Sequence, residues 1–267
     1  MGTIVLPIPI FLNEKEYREI EIRNVNAGII ADANRFIQKG DSYRGIQTFI
    51  AGCTERIGDI TDKQAIFSMI GFMPFKSASW VSIQIIFLDE KDDGVEGMYP
   101  CPRCGEKKIC EFNEDENLDT RDYLKDLPLK VMKDKKSTFE IELKKSIFIK
   151  DQDQGSEEVK SLEIYYPTLN HCSMALNKIG DKDHVRLQLQ IYIQALKSVN
   201  DQEIDNRYKN NFGSFIFESI GSEDIKQIGD LVDQFGLETG IKKVCTACGK
   251  EWVVNINTSN FFVSALR

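Results

Sequence analysis

Hydrophobic positions near the start of the chain follow an extended pattern. Residues 4–11 are apolar with interrupting prolines, and residues 17–25 alternate loosely between charged and apolar side chains. Alternation of this kind is typical of strands with one buried face. The sequence therefore predicts an N-terminal β-hairpin or a pair of edge strands.

Three short helices are predicted next, because apolar side chains recur three or four positions apart. The segments are residues 27–38, 43–56 and 62–70. Asp41 or Ser42 can cap the second helix, and Thr61 is the candidate cap of the third. Residues 80–88, with the sequence WVSIQIIFL, are instead rich in β-branched and aromatic side chains, so we expect a strand there.

The second part of the chain repeats this order. Two strands, at residues 137–150 and 159–166, are joined by a polar loop at 151–158. Helical patterns cover residues 171–178, 183–198, 205–220 and 223–235, and a β-rich tail covers 251–262. Ser222 is placed to cap the last helix and Gly236 to end it.

Both parts thus share an order of strand pair, helices and a C-x-x-C-G sequence. A local echo supports the comparison, since residues 55–58 are Glu-Arg-Ile-Gly and residues 218–221 are Glu-Ser-Ile-Gly. We interpret the chain as an α+β fold of two similar halves, residues 1–125 and 126–267, that arose by internal duplication and share one zinc-ribbon-like site. The alternative is that two α+β segments look alike by chance.

Composition and charge limit the classes of function that we expect for this chain. A chain of 267 residues can bury the core of one large or two modest domains. Its net charge of −8 argues against binding to nucleic acid duplexes, because neutralising phosphates requires a basic surface. No apolar run approaches the roughly 18 residues of a membrane span, and the first residues lack the features of a secretory signal. We therefore expect a cytosolic protein without a membrane partner.

Four of the seven cysteines form two pairs that are typical of zinc knuckles. Cys101 and Cys104 lie in CPRCG, and Cys245 and Cys248 lie in CTACG. Each pair places two thiolates three positions apart on a tight turn, and glycine provides the backbone geometry after the second ligand. We predict that the four thiolates bind one structural Zn²⁺ ion in a closed site. The segment GKEWVVNI would be the strand that pairs back in a zinc ribbon.

Alternative roles for the cysteines remain open at this point. Either pair alone could be a redox-active C-x-x-C motif, and two separate partial sites are possible because roughly 140 residues separate the pairs. Cys110 is a spare ligand candidate or an ordinary strand residue. Cys53 and Cys172 fall in helical patterns, where we interpret them as small core residues.

Catalytic residues are not evident. The chain has two histidines, His171 and His184, which leaves few candidates for a general base. His171 stands beside Cys172, but adjacent helical residues point in different directions and do not form a nucleophile–base pair. The paired acidic residues fall in polar segments, where a solvated surface explains them. We therefore expect a protein that is not an enzyme.

This arrangement resembles the baseplate hub and tail assembly proteins of T-even-type contractile-tailed phages. The first half offers a strand-rich start, a cysteine in GCTERI, Asp62 at the opening of a helix and the sequence CPRCG. The second half offers Asp230 in IGDLVDQFG, then CTACG, a β-segment and a closing Phe261 and Phe262. The match covers most of the chain in layout. The acidic run 114–122 and the polar segment 151–158 have no counterpart in it.

The resemblance implies a non-enzymatic protein that acts in assembly of the baseplate or central hub of a phage tail. Its partners would be other tail and baseplate hub proteins, including the tape measure protein. Its location would be the host cytoplasm during assembly, or the tail baseplate of the virion.

A zinc-ribbon module that binds nucleic acid, or that is associated with transcription, is the alternative function. Lysines cluster near the knuckles, at Lys107, Lys108, Lys242, Lys243 and Lys250. They could form a local basic patch, or they could offset the negative charge of a four-thiolate centre. The acidic balance of the whole chain weighs against nucleic acid.

Overall fold

The computed structural model describes residues 2–88, 96–101, 103–105, 107–111, 129–151, 155–180, 183–237, 240–245 and 247–255. It begins with two antiparallel strands, β1 (Gly2–Leu12) and β2 (Lys15–Ile22). Asn13 and Glu14 join them with φ values of 49° and 62°, as a tight hairpin turn requires. The predicted N-terminal hairpin is confirmed.

The first helices are α1 (Ala27–Gln38), α2 (Ser42–Cys53) and α3 (Lys63–Gly71). Asp41 caps α2 as predicted, whereas Asp62 rather than Thr61 caps α3, its side chain accepting from the N–H of Ala65. The second helix is shorter than predicted. After Cys53 the chain enters strand β3 (Thr54–Ile57), which pairs with β2.

The strand predicted at residues 80–88 is wrong, because these residues belong to helix α4 (Phe75–Leu88). Ala78, Val81 and Ile85 are fully buried at helical spacing. A helix that is apolar on nearly all sides has no clear period, so β-branched composition misled the prediction. Packing against α2 and the N-terminal sheet decides its conformation.

The remaining elements follow in chain order. They are β4 (Glu96–Pro100), β5 (Lys107–Glu111), β6 (Leu129–Lys130), β7 (Thr138–Asp151), β8 (Gly155–Tyr165), α5 (Leu169–Ile179), α6 (His184–Ala195), β9 (Leu196–Val199), β10 (Gln202–Glu203), α7 (Asn206–Tyr208), α8 (Ser214–Ser219), α9 (Ser222–Val232), β11 (Gly236–Leu237), β12 (Gly240–Val244) and β13 (Glu251–Asn255). The α+β class is confirmed.

Several predicted boundaries in this part need correction. The polar loop at 151–158 is shorter, because β8 already begins at Gly155. The helix predicted at 183–198 ends at Ala195, where β9 follows. The helix predicted at 205–220 is interrupted by a π-helical turn, Lys209–Gly213. Gly221, not Ser222, is the N-cap of α9. The acidic run 114–122 and residues 256–262 of the predicted tail lie outside the described residues.

Two runs of elements share one order and one spacing. In the first, α2 and β3 occupy residues 42–53 and 54–57; in the second, α6 and β9 occupy 184–195 and 196–199, each 142 positions later. The N-caps Asp41 and Asp183 keep the same spacing. The strand register keeps this spacing as well, because Ile20 of β2 opposes Ile57 of β3 and Leu162 of β8 opposes Val199 of β9.

Both hairpins carry the same irregularity in their first strand. Between Val5 and Ile10 of β1 the register shifts against β2, and an equal shift occurs between Glu142 and Ile147 of β7. We call these stretches the β1 bulge and the β7 bulge. Each bulge binds the third residue of a helix. Ser77 Oγ of α4 accepts from the Ile8 N–H (2.9 Å), and Asp224 Oδ1 of α9 accepts from the Lys144 N–H (3.2 Å).

The local echo between residues 55–58 and 218–221 compares different elements, which corrects that observation. Residues 55–57 lie in β3 and Gly58 in the turn after it, whereas residues 218–221 join α8 to α9. At a spacing of 142 the counterpart of Gly58 is Asn200, and both have positive φ (58° and 47°). The division into halves at residue 125 stays a prediction.

Hydrogen bonds connect the two larger hydrophobic clusters of the described residues. Phe75 N–H donates to the carbonyl of Pro167 (2.7 Å), and Leu169 N–H donates to that of Met73 (3.1 Å). Asp41 Oδ2 accepts from Ser173 Oγ (2.7 Å). The interface therefore has main-chain and side-chain bonds as well as apolar contact.

Candidate metal centre

The two C-x-x-C pairs lie at the tips of two matching ribbons. Strand β4 pairs with β5 from Glu96–Glu111 to Pro100–Lys107, and β12 pairs with β13 from Gly240–Asn255 to Val244–Glu251. Cys101 follows β4 directly, and Cys245 follows β12. The predicted strand after the second knuckle is therefore confirmed as β13.

Backbone hydrogen bonds shape both tips in the same way. The Gly105 N–H donates to the Cys101 carbonyl (2.9 Å), and the Gly249 N–H donates to the Cys245 carbonyl (2.7 Å). Both glycines have left-handed φ values, 70° and 67°. A side chain would find open space at either glycine, so the backbone conformation itself is what favours glycine there.

The structure brings all four predicted cysteines together. The Sγ atoms of Cys101, Cys104, Cys245 and Cys248 all lie within 4.8 Å of one another. Two distances between the ribbons are 3.7 Å, from Cys101 to Cys248 and from Cys104 to Cys245. Such a cluster of four thiols could hold one thiophilic metal ion.

Burial and charge are uneven across the cluster. Cys101 and Cys245 are buried, Cys248 is intermediate and Cys104 is exposed. Burial raises the pKa of the Cys101 thiol, but hydrogen bonds from the backbone N–H groups of Cys104 and Arg103 and from neighbouring thiols lower it, to about 7 overall. Thiolate character at neutral pH is what a metal ligand needs.

Cys53 and Cys172 are not part of this cluster. Cys110 lies in β5 opposite Gly97, and its side chain is outside the described part of the chain. Cys53 and Cys172 are buried at 0% and 2% exposure, as predicted for core residues. Burial raises the pKa of the Cys172 thiol far above its usual range, so it is not an activated nucleophile.

His171 has a structural contact rather than a position beside a nucleophile. Its Nδ1 accepts from the Thr168 N–H, and its own N–H donates to Thr168 Oγ1, which forms a capping box at the start of α5. Burial, with a smaller contribution from the charge of Lys209, lowers the pKa of His171 to about 4. His184 is exposed at the first turn of α6.

The lysines near the knuckles lie on the ribbons. Lys107 and Lys108 belong to β5, and Lys242 and Lys243 belong to β12, but their side chains are outside the described residues. Lys250 is exposed, and its carbonyl accepts from the Cys245 N–H (2.9 Å). The predicted basic patch stays a prediction.

Sequence reasoning missed the pairing of β6 with β11, which connects the segment after the first ribbon to the segment before the second. Strands of two residues carry no periodic signal. None of the described helices has the length and apolar character needed to cross a membrane. Comparison with protein-family models, with curated proteins and with solved structures found no match.

Proposed function

We propose that this chain is a non-enzymatic structural or assembly protein of a contractile phage tail, acting at the baseplate or central hub. One zinc ion, held by Cys101, Cys104, Cys245 and Cys248, would fix its two ribbons together. The observation that carries the proposal is the convergence of these four thiols from positions more than 140 residues apart. The phage context rests on the sequence resemblance.

Zinc fits the geometry of the cluster. Four thiolates at about 2.3 Å from a tetrahedral zinc ion lie about 3.8 Å from one another. Two of the inter-ribbon Sγ–Sγ distances, each 3.7 Å, match this spacing. Because four protein ligands leave no open coordination position, the ion would contribute folding free energy rather than chemistry.

Internal duplication is the second part of the proposal. A spacing of 142 positions separates matching helices, matching strands, matching N-caps and matching strand pairs. An ion pair follows it as well, since Arg18 pairs with Glu16 and Lys160 pairs with Glu158. The two ribbons match at a spacing of 144. A duplicated unit would supply two similar bodies for docking partners, and the zinc ion would set their separation.

The test is recovery of the tagged chain from infected cells and from purified virions, followed by mass spectrometry of the proteins that accompany it. We expect other tail and baseplate hub proteins, with the tape measure protein among the candidates. Recovery from the virion would identify a retained component, and recovery from cells alone would identify an assembly factor. Recovery with nucleic acid only would contradict the proposal and favour the zinc-ribbon alternative.

A further inference from the structure

A groove of about 520 Å³ lies between the β7 bulge and the corner where α8 meets α9. Its large apolar side chains include Phe148 and Phe215, which are 60% and 47% exposed. Polar groups line the rest, among them Ser222 of α9 and the ion pair between Lys144 and Glu223. We call it the Phe148–Phe215 groove. Two large aromatic side chains exposed at one groove are typical of a binding surface.

The corresponding corner of the first half, between α3 and α4, is already filled. The extended residues before α5 lie across it, with Thr168 in an antiparallel bridge to Pro74. The Phe75 N–H donates to the Pro167 carbonyl (2.7 Å), and Tyr166 is buried at 6% exposure. The occupant of this corner is therefore an extended segment held by main-chain bonds, while the Tyr166 ring packs against Phe139 and Phe235.

The two corners correspond residue by residue at their helix starts. Phe75 is the first residue of α4 and Ser222 the first of α9, and in each helix the third residue binds the bulge. The Ser222 N–H thus corresponds to the Phe75 N–H, which donates to the Pro167 carbonyl. Gly221 gives α9 no side-chain cap, and first-turn N–H groups have no partner within their own helix.

Lys160, beside the β7 bulge, offers a second contact to the main chain of a bound segment. At the β1 bulge, the Met132 N–H donates to the Pro7 carbonyl (2.7 Å), and Arg18 donates to the Met132 carbonyl (2.7 Å). Lys160 corresponds to Arg18 and is 68% exposed, with only Glu158 as its ion-pair partner among the described residues. A carbonyl of a bound segment could accept from Lys160 as Met132 accepts from Arg18.

We propose that the Phe148–Phe215 groove binds an extended segment of a partner protein that carries a large apolar side chain. The segment places this side chain between Phe148 and Phe215 and a backbone carbonyl at the Ser222 N–H. This mode combines main-chain bonds for affinity with an apolar anchor for specificity. The inference rests on the proposed docking function and names the surface that performs it.

The experiment selects binders from a displayed library of random 12-residue peptides on the full-length chain and measures their affinity by fluorescence polarisation. We expect peptides with an apolar centre that lose at least tenfold in affinity for Phe215→Glu and for Phe148→Lys. Phe72→Glu is the matched control, because Phe72 is 43% exposed in the first half, and it should change affinity less than twofold. Thermal melting establishes that each variant folds, and Phe148→Lys decides the matter if Phe215→Glu does not fold.

Four results would overturn this inference. Selected peptides could bind both groove variants as tightly as the unmodified chain. They could bind only after residues 256–267 are removed, which would make the chain's own segment the occupant. The unmodified chain could form dimers that Phe215→Glu abolishes, which would make a second copy the occupant. If tail proteins accompany Phe215→Glu and the unmodified chain equally, the groove assignment fails while the proposed function stands; if none accompanies either, the proposed function fails.

Discussion

Ile8 and Leu169 each lie in a hydrophobic cluster whose other buried members are distant in sequence. Leu169, from α5, is 1% exposed in a cluster otherwise formed by residues 4–85, and Ile8, from the β1 bulge, is 1% exposed in a cluster otherwise formed by residues 132–228. Each core is therefore completed by a side chain from elsewhere in the chain. The two cores depend on each other for close packing.

We expect the two cores to unfold in one transition. Far-ultraviolet circular dichroism and tryptophan fluorescence should give the same midpoint in urea. Leu169→Ala should lower the free energy of unfolding by about 2–4 kcal/mol, because it leaves a cavity between the cores. Val185→Ala removes a side chain that is 68% exposed and serves as the control. Two separate transitions in the unmodified chain would contradict this expectation.

Metal analysis by mass spectrometry should find about one zinc per chain, since the four thiols form one cluster. Cys245→Ser should lose the metal and lower the melting temperature sharply, because a three-thiolate site holds zinc more weakly. Cys172→Ala is the control, since Cys172 is a buried core residue away from the ribbons, and it should keep its zinc. A metal-free chain that melts at the same temperature as Cys245→Ser would remove the zinc proposal.

Asp41→Ala should cost more stability than Asp183→Ala. Both aspartates cap a helix, at matching positions before α2 and α6, and losing a cap costs about 1 kcal/mol. Asp41 also accepts from Ser173 and Asn177 across the interface, which adds about 1 kcal/mol or more. Urea unfolding of both variants measures the difference. Combining Asp41→Ala with Ser173→Ala should be less than additive, and full additivity would show that the contact contributes nothing.

Gly71→Ala and Gly229→Ala should change stability in opposite directions. A methyl group at Gly71 would lie 2.5 Å from Asn170 Oδ1 and 2.8 Å from Gln47 Nε2, so the interface must shift, at a cost of about 1–3 kcal/mol. At Gly229, inside α9, the nearest atom is 4.0 Å away, and alanine should stabilise the helix by up to about 1 kcal/mol. Asn170→Ala should rescue Gly71→Ala. Equal effects of the two glycine substitutions in urea would refute the crowding argument.

The stability of the chain should fall as His171 becomes protonated. The pKa of His171 in the folded chain, about 4, lies below the ordinary histidine pKa of 6.5, so the unfolded chain binds the proton more readily. The contribution of neutral His171 is therefore complete above pH 6.5 and is lost as pH falls toward 4, by up to about 3 kcal/mol. His171→Gln keeps a capping box without a titrating group and should flatten this part of the profile. His184→Gln, at an exposed site, should leave the slope unchanged.

Local signals in the sequence predicted much of the fold and the whole candidate site. The C-x-x-C-G spacing identified Cys101, Cys104, Cys245 and Cys248, because the geometry of a knuckle depends on residues that are adjacent in sequence. Helix α1 was predicted with its observed bounds, since its apolar face is distinct. Caps such as Asp41 were also found from local sequence.

Features that depend on packing were not predictable in this way. Residues 80–88 became a helix because their surroundings, rather than their β-branched composition, determine the conformation. The boundaries at Cys53 and Ala195 were missed because the chain passes from helix to strand without a glycine or proline. The positions of Ile8 and Leu169 in their clusters depend on contacts between residues that are distant in sequence. Such contacts leave no periodic pattern in the sequence.

A metal ion bound by the four cysteines would also determine how the molecule bears mechanical load. Cys104 and Cys245 are 141 positions apart, so a bound ion would close a ring that contains the sheet of β7 to β10 and the helices α5 to α9. Tension applied to the chain before Cys101 and after Cys248 would pass through the metal–sulfur bonds and bypass everything inside the ring. Rupture of those bonds would release about 500 Å of extended chain at once. In a single-molecule stretching experiment, bound zinc should therefore delay the long extension until the metal–sulfur bonds break. Removing the metal with a chelator should let the same extension occur at a lower force.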